Sequence, residues 1–149
     1  MDAVFTLHGD PVASRFSLSG PRSRDASREL LKLWLGDWAR HGIGYWAVEQ
    51  RDAPGRVVGI TGVRHNELEG QSVLNLAYRF SPRSWGSGYA TEAARVALAL
   101  ARKHLPDVPV VAIIRLENLP SLRVAERLGM RRDRIIDYQG FASAVYLAA

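Results

Sequence analysis

The chain has 149 residues, 47% of them hydrophobic and 23% charged, which is the composition of an ordinary globular protein. We therefore expect one domain over residues 1–149, long enough to bury a core. The absence of cysteine excludes disulfides, thiolate metal sites and cysteine nucleophiles, and it suits a reducing compartment. The net charge of +5 could attract an anionic ligand, but the basic residues are scattered, and most are expected to lie on a solvated surface.

Several sequence patterns that would indicate a location or a partner are missing from the chain. No apolar run approaches the roughly 20 residues of a membrane helix, and the N-terminus has no basic-then-apolar secretory signal. We therefore predict a cytoplasmic protein without a membrane partner. The four histidines show no ligand spacing, so we predict no metal. Alternating basic and aromatic residues of the RNA-binding type are missing, and nucleic acid is not an expected partner.

The first predicted element is a helix. The first twenty or so residues are weakly patterned and contain two turns. Apolar residues then recur at helical spacing from Leu30 to Trp38, with Ser23 or Asp25 as a possible N-cap. This helix should end at residues 42–44, which read Gly-Ile-Gly.

Three strands are predicted next. The first covers residues 45–48, and after a turn at residues 52–55 its partner covers residues 56–63. A polar loop at residues 66–71 leads to the third strand at residues 72–80. Three strands in series indicate an antiparallel meander.

The pattern then changes to loop, helix and strand. Residues 81–88 read as a loop, residues 90–104 as an alanine-rich helix, and residues 110–114 as a buried strand. The inner face of the helix is expected to carry Ala93, Val96, Ala97, Leu100 and Ala101. This βαβ unit, grafted on a meander, indicates a mixed α/β fold.

Two more elements end the chain. Residues 118–128 read as a helix that Gly129 terminates in the left-handed conformation. Residues 135–138 and 144–147 read as a hairpin around Gln139 and Gly140.

The chemistry concentrates in residues 83–93, which read RSWGSGYATEA. Gly86 and Gly88 let the backbone turn sharply and approach a ligand closely. The N–H groups of residues 86–90 would point outward at a helix start, where unpaired donors and the helix dipole favour an anion. A diphosphate is the natural occupant.

Three other interpretations of these glycines compete. A P-loop would end in Gly-Lys-Ser or Gly-Lys-Thr, whereas this loop ends in Gly-Tyr-Ala-Thr. A dinucleotide fold would place a third glycine or alanine at Thr91. An isolated pair of glycines is most often only a helix cap. Here the loop follows a strand and opens a helix, which favours ligand binding.

Three segments resemble a known family. Arg83-x-x-Gly86-x-Gly88 is similar to the R/Q-x-x-G-x-G/A signature of the GNAT superfamily of N-acetyltransferases. Residues 85–93 resemble the WGxGYATEA string of its RimJ/RimL branch, which acetylates N-termini of ribosomal proteins. Residues 118–130 resemble that branch's N-x-x-S-x-R-V-x-x-x-L-G-[FM] segment, and residues 38–48 resemble its helix and second strand. The resemblance covers roughly residues 20–147.

The resemblance implies a GNAT-like, mostly antiparallel sheet with one βαβ unit, flanking helices and splayed central strands. It implies acetyl-coenzyme A as the acetyl-donor cosubstrate and a primary amine as the acceptor. Carried over residue by residue, the cosubstrate-binding set is Phe80 through its backbone, Arg83, Gly86, Ser87, Gly88, Tyr89, Ala90 and Thr91 in the loop, and Asn118 near the thioester.

The resemblance also bears on how the leaving thiolate is protonated. Direct transfer requires a base for the ammonium, a donor for the oxyanion, and a proton or hydrogen bond for the thiolate. Many members carry a tyrosine seven positions after the motif asparagine, where this chain has Ala125. The RimJ/RimL branch has a serine three positions after it, which implies Ser121. Ser121 could equally be a helix-cap serine, and the two roles are compatible.

The base is the main departure from the branch, which usually carries a glutamate where this chain has Asn75. Asn75 cannot accept a proton, but it could orient a water that does. His65, Glu67 and Glu69 could substitute, although each is more often a solvated loop residue.

The start of the chain also departs from the family, which begins with a further strand and a full helix. The chain starts partway through these elements, so we expect an uncovered sheet edge that favours a homodimer.

The leading prediction is thus an acetyl-coenzyme A-dependent N-acetyltransferase that acts on a protein N-terminus or a small amine by direct attack. The alternative is a non-catalytic coenzyme A-binding or sensing domain, which Asn75, Ala125 and the short N-terminus favour. Nucleic-acid binding rests on charge alone. Protein N-termini, aminoglycosides, polyamines and small amino metabolites all remain open as acceptors.

Overall fold

The structure, a computed structural model, describes residues 2–16 and 20–149, and in these residues six strands form one sheet flanked by four α-helices. The elements are α1 (Asp2–His8), α2 (Arg24–His41), β1 (Tyr45–Gln50), β2 (Ala53–Leu68), β3 (Gln71–Phe80), a 3₁₀ turn (Pro82–Ser84), α3 (Tyr89–His104), β4 (Val110–Arg115), α4 (Leu119–Arg127), β5 (Arg131–Tyr138) and β6 (Phe141–Leu147). No helix of the described residues is both long and apolar enough to cross a membrane.

The sheet order is β1-β2-β3-β4-β6-β5, and it confirms the predicted mixed α/β class. Strands β1, β2 and β3 form the predicted antiparallel meander. Strand β4 is parallel to β3 through the crossover helix α3, as the βαβ pattern predicts. Strands β5 and β6 form the predicted hairpin, but both are longer than expected.

Helices α2 and α4 have the predicted ends. Ser23 caps α2, because its side chain accepts a hydrogen bond from the backbone N–H of Ala26 at 3.1 Å. Asp25 is therefore not the cap. Gly129, with φ of 78°, follows the C-cap of α4 in the predicted left-handed conformation.

Helix α1 was not among the elements predicted from periodicity, and one prediction of local structure is wrong. Helix α1 lies in the stretch that reads as weakly patterned, part of which (Met1 and residues 17–19) lies outside the described residues. Helix α1 has seven residues, and its buried apolar side chains among the described residues are Val4 and Leu7, so it is too short to show a clear helical period. Residues 66–71 are not a loop, because β2 and β3 are joined by a two-residue turn at Glu69 and Gly70. Their polar residues belong to strand ends exposed to solvent.

The predicted inner face of α3 is wrong in part. Ala97 and Ala101 are buried as expected, but Val96 and Leu100 are 52% and 38% exposed. The buried face instead carries Ala94, Ala97, Leu98 and Ala101. The buried face is rotated around the helix relative to the predicted one: it keeps Ala97 and Ala101 and has Ala94 and Leu98 in place of Val96 and Leu100.

The core occupies both faces of the sheet. On one face, α3 and α4 cover Leu74, Leu76 and residues of β4 and β6. On the other face, α1 and α2 pack over Ile60 and Tyr45 of the first two strands. Strands β1 and β5 are the two edges of the described sheet, so pairing with a second copy stays a prediction.

Candidate active site

The middle of the sheet is open. Strands β3 and β4 pair only at Leu74 with Val110 and at Asn75 with Val111, although both strands continue beyond these pairs. The gap that follows belongs to a cleft of about 680 Å³, which is lined by both strands, the loop before α3 and the start of α4. The predicted splay of the central strands is therefore present.

The outer half of β3 turns unpaired backbone groups toward this gap. The backbone N–H of Ser81 donates to the carbonyl oxygen of Val58 at 2.8 Å, so Ser81 pairs with β2. Because pairing alternates along an antiparallel strand, Phe80 and Tyr78 direct their backbone groups to the opposite side. The indole Nε1 of Trp85 donates to the carbonyl oxygen of Phe80 at 2.9 Å, which leaves the Phe80 N–H for a ligand.

The loop before α3 forms an anion cradle. Gly86 and Gly88 have φ of 83° and 78°, and no atom of the described residues lies within 4 Å of a Cβ built on either. The first backbone N–H bonded at the helix start is that of Glu92, which donates to Gly88. Among the described residues, none accepts a hydrogen bond from the N–H groups of residues 86–90. These donors lie at the positive end of α3 and fit a diphosphate.

Not every predicted residue of this loop lines the cleft. Tyr89, Ala90 and Thr91 do, whereas Arg83 and Ser87 are exposed outside it. The Tyr89 hydroxyl accepts a hydrogen bond from Nε2 of Gln50 at 2.8 Å and thereby joins α3 to β1.

Cations from α4 also reach the cleft. Arg123 and Arg127 lie on its lining, and Arg127 also borders a shallow depression beside Gly88 and Thr91. The sequence shows their charge but not that α4 brings them to the loop.

Ser121 is not the cap of α4. The N-cap is Asn118, whose side-chain oxygen accepts a hydrogen bond from the backbone N–H of Ser121 at 3.3 Å. Among the described residues, the Ser121 hydroxyl has no hydrogen-bond partner, and it lines the cleft. The interpretation of Ser121 as a cap serine is therefore wrong.

Tyr78, which sequence reasoning missed, connects β3 to α4. Its hydroxyl donates to the carbonyl oxygen of Ser121 at 2.6 Å. Burial raises the pKa of Tyr78 well above its ordinary value, so the hydroxyl remains a donor. The available signal in the sequence was its position on the same predicted strand, three residues after Asn75.

Asn75 lies at the point where the two strands separate. Its Nδ2 donates to the hydroxyl of Tyr45 at 3.2 Å, which leaves Oδ1 as the acceptor that the amide offers to the cleft. Burial raises the pKa of Tyr45, so this phenol is neutral.

The three candidate substitute bases lie elsewhere. His65 is exposed beside His41, with ring centroids 4.7 Å apart, and Glu67 is exposed on β2. Glu69 forms an ion pair with Arg134 at 3.2 Å. None of the three lines the cleft. Across the described residues, no group of three histidine, aspartate or glutamate side chains could hold a metal.

Two further arginines that the sequence analysis missed, Arg79 and Arg115, lie on the cleft wall. Nη1 of Arg79 lies 3.1 Å from both Nδ1 of His8 and Oγ of Ser14. Burial lowers the pKa of Arg79 to about 10, and burial together with Arg79 lowers the pKa of His8 to about 3. His8 is therefore a neutral acceptor.

Comparison with known proteins agrees with this geometry. Residues 1–131 match the acetyltransferase (GNAT) domain family. The chain is 31% identical over 140 residues to the uncharacterised protein YkkB of Bacillus subtilis, covering 94% of this chain and 80% of YkkB. A structure from Bordetella pertussis, described as a GNAT-family acetyltransferase, superposes with a TM-score of 0.82 at 25% identity, over 99% of this chain and 88% of that one.

A more distant structure is that of spermidine N-acetyltransferase from Vibrio cholerae, in complex with CoA and spermine. It superposes with a TM-score of 0.72 at 15% identity, over 97% of this chain and 85% of that one, which supports the fold alone.

The match over residues 1–131 identifies the chain as an acyltransferase, and the splayed sheet that opens onto an anion-binding loop is consistent with this class. The chain belongs to the GNAT acetyltransferase family. Membership of this family confirms the prediction of an acetyl-coenzyme A-dependent N-acetyltransferase.

Proposed function

We propose that residues 1–149 form one acetyltransferase domain that moves an acetyl group from acetyl-coenzyme A to a primary amine by direct attack in the cleft between β3 and β4. The observation that carries the proposal is that one cleft is lined by the unpaired edge of β3, the cradle at Gly86 and Gly88, and the side chains of Asn75 and Ser121.

The residues present fit the cosubstrate. The N–H groups of residues 86–90, with Arg127 beside them, suit a diphosphate because they combine unpaired donors with positive charge. The backbone groups of Tyr78 and the N–H of Phe80 suit an amide-containing arm such as pantetheine, since an extended chain can pair with an open strand edge. Asn118 and Ser121 lie at the start of α4, where the thioester would arrive.

The reaction that this arrangement supports is balanced by two proton movements. The lone pair of the neutral amine attacks the thioester carbonyl carbon, a C–N bond forms, and the C–S bond breaks. The nitrogen loses a proton to solvent through a water held by Oδ1 of Asn75. The sulfur leaves as a thiolate that accepts a hydrogen bond and then a proton from the Ser121 hydroxyl, and solvent returns that proton to Ser121. No covalent enzyme intermediate is required.

The finer placement in the RimJ/RimL branch is also part of this proposal. It rests on the strings at residues 85–93 and 118–130. On that basis, the acceptor is the amino group of a protein N-terminus or of a small molecule.

The test is an assay of thiol release from acetyl-coenzyme A with a panel of amines, combined with calorimetry of coenzyme A binding. We expect binding and amine-dependent thiol release at a rate above that of hydrolysis. Binding without transfer to any amine at any pH would contradict the proposal and favour the sensing domain.

A further inference from the structure

Side chains on both faces of the sheet line the cleft. We call the face toward α3 and α4, where the diphosphate cradle lies, the cosubstrate side, and we call the opposite face the acceptor side. Leu74 and Leu76 of β3 lie under α3. Because side chains alternate along a strand, Asn75 and Arg79 lie on the opposite face. Arg115 lies on the same opposite face of β4, where Phe16 approaches it from the segment after α1.

The cleft is lined by five arginines and by no acidic residue among the described residues. Arg123 and Arg127 belong to α4, on the cosubstrate side. Arg79 and Arg115 lie on the acceptor side, where the diphosphate cradle cannot account for them. A cleft with this charge attracts anions and repels polycations.

Arg79 is held by neutral partners. Its two hydrogen-bonding neighbours are His8 and Ser14, and no aspartate or glutamate of the described residues pairs with it. The neighbouring Arg22 adds like charge. Withdrawing a guanidinium from water without a counterion is unfavourable. An anionic ligand that pairs with Arg79 would therefore gain more binding free energy than one that pairs with an exposed arginine.

Arg115 can also donate further hydrogen bonds to an anion. Its guanidinium lies 3.7 Å from the ring centroid of Phe141, and its Nε is buried without a hydrogen-bond partner among the described residues. Its carboxylate partner, Glu117, is at 3.3 Å, but the Glu117 side chain is 70% exposed, so solvent weakens the pair.

We infer that the acceptor is an amine that also carries an oxyanion, a carboxylate or a phosphate, which binds Arg79 with Arg115 beside it. This inference rests on the proposed function, since it names the chemical class of the acceptor for the same reaction. The oxyanion would fix the molecule so that its amine faces the point where β3 and β4 separate, beside Asn75.

The experiment compares kcat/KM for matched acceptors. One arm uses an α-amino acid and its amide, a second uses an aminoalkyl phosphate and the corresponding amino alcohol, and a third uses spermidine. We expect the charged member of at least one pair to exceed its neutral counterpart by roughly 10- to 100-fold, the usual effect of a charge-assisted hydrogen bond. The two pairs distinguish a carboxylate from a phosphate.

Variants assign this preference to Arg79. Arg79→Gln should reduce the ratio of charged to neutral kcat/KM toward one, while Arg79→Lys keeps part of it. Arg56→Gln removes one exposed positive charge outside the cleft and should leave the ratio unchanged. Calorimetry of coenzyme A binding verifies that each variant is folded. A purely structural role of Arg79 would change kcat/KM for the charged and the neutral acceptor alike and would leave their ratio unchanged.

Preference for spermidine or for the neutral member of both pairs would overturn the inference and leave the proposed function intact. An unchanged ratio in Arg79→Gln would also overturn it. Absence of transfer to every amine would overturn both proposals together.

Discussion

Ser121 has a hydroxyl that faces the cleft and is free of the capping role that Asn118 performs. If this hydroxyl assists departure of the thiolate, Ser121→Ala should lower kcat by about 100-fold, the low end of general-acid effects. The affinity for coenzyme A, measured by calorimetry, should change little. Ser72→Ala, at an exposed position on β3, is the control. Wild-type turnover in Ser121→Ala would remove Ser121 from the mechanism.

Asn75 offers a hydrogen-bond acceptor but no base of its own. The rate of the wild-type protein should therefore rise with pH toward the pKa of the acceptor amine, because only the neutral amine attacks. Asn75→Glu should accelerate transfer at neutral pH by roughly tenfold or more, because it supplies a general base. The measurement is a pH–rate profile of both proteins.

Asn66→Glu is the control for this test, since it adds the same charge at an exposed position of β2. An inflection of the wild-type profile near the ordinary histidine value, about 6.5, would contradict the water relay and indicate a histidine base.

At the scale of elements, the loop between the 3₁₀ turn and α3 can be tested by a matched pair of glycines. Gly86 and Gly55 have φ of 83° and 86°, and in the part of the chain that the structure describes no atom lies within 4 Å of a Cβ built on either. Valine should therefore strain both backbones similarly. Only Gly86→Val should weaken coenzyme A binding, by about 100-fold or more, since it obstructs several charge-assisted hydrogen bonds. Calorimetry that finds equal affinities in the two variants would place the diphosphate elsewhere.

At the scale of the whole molecule, His8 connects α1 and β3 through Arg79 and makes stability depend on pH. In the folded protein the pKa of His8 is lowered to about 3, so its imidazole stays neutral as the pH falls below 6.5. In the unfolded chain the same imidazole gains a proton over this range. Between pH 6.5 and pH 5, this difference should lower the free energy of unfolding by about 2 kcal/mol.

Denaturant unfolding at both pH values measures the effect of His8. His8→Gln should remove this part of the pH dependence, because glutamine can accept from Arg79 without titrating. His104→Gln, which removes an exposed histidine of α3, should not. Equal pH dependence in the wild type and His8→Gln would show that His8 does not stay neutral in the folded protein.

Local signals explain which parts of the fold could be predicted from the sequence. Helix α2 has both a periodic apolar face and recognisable ends, and the βαβ unit follows from a change of period. The inner face of α3 could not be predicted fully from hydrophobicity, because apolar residues lie on more than one side of this helix: Leu98 is buried, whereas Val96 is exposed.

The candidate site also has one part that could be predicted from the sequence and one part that could not. The cradle at Gly86 and Gly88 is contiguous in sequence, so its motif is visible. The roles of Tyr78, Arg79 and Arg115 depend on strand register and on contacts with distant segments, with 65 and 71 residues separating Arg79 from its partners Ser14 and His8. No local pattern carries that information.

The narrow junction between β3 and β4 has a mechanical consequence. Among the described residues, two residue pairs join the meander to the other half of the sheet. The two halves are also connected through α3, α4 and the core beneath them, and through the contacts of Ser14 with Arg79 and of Phe16 with Arg115. A cosubstrate arm paired with the open edge of β3 would act as a seventh, removable strand. By mass action, the rigidity of the sheet would then follow the cellular concentration of acetyl-coenzyme A, and each turnover would briefly loosen the molecule at its centre.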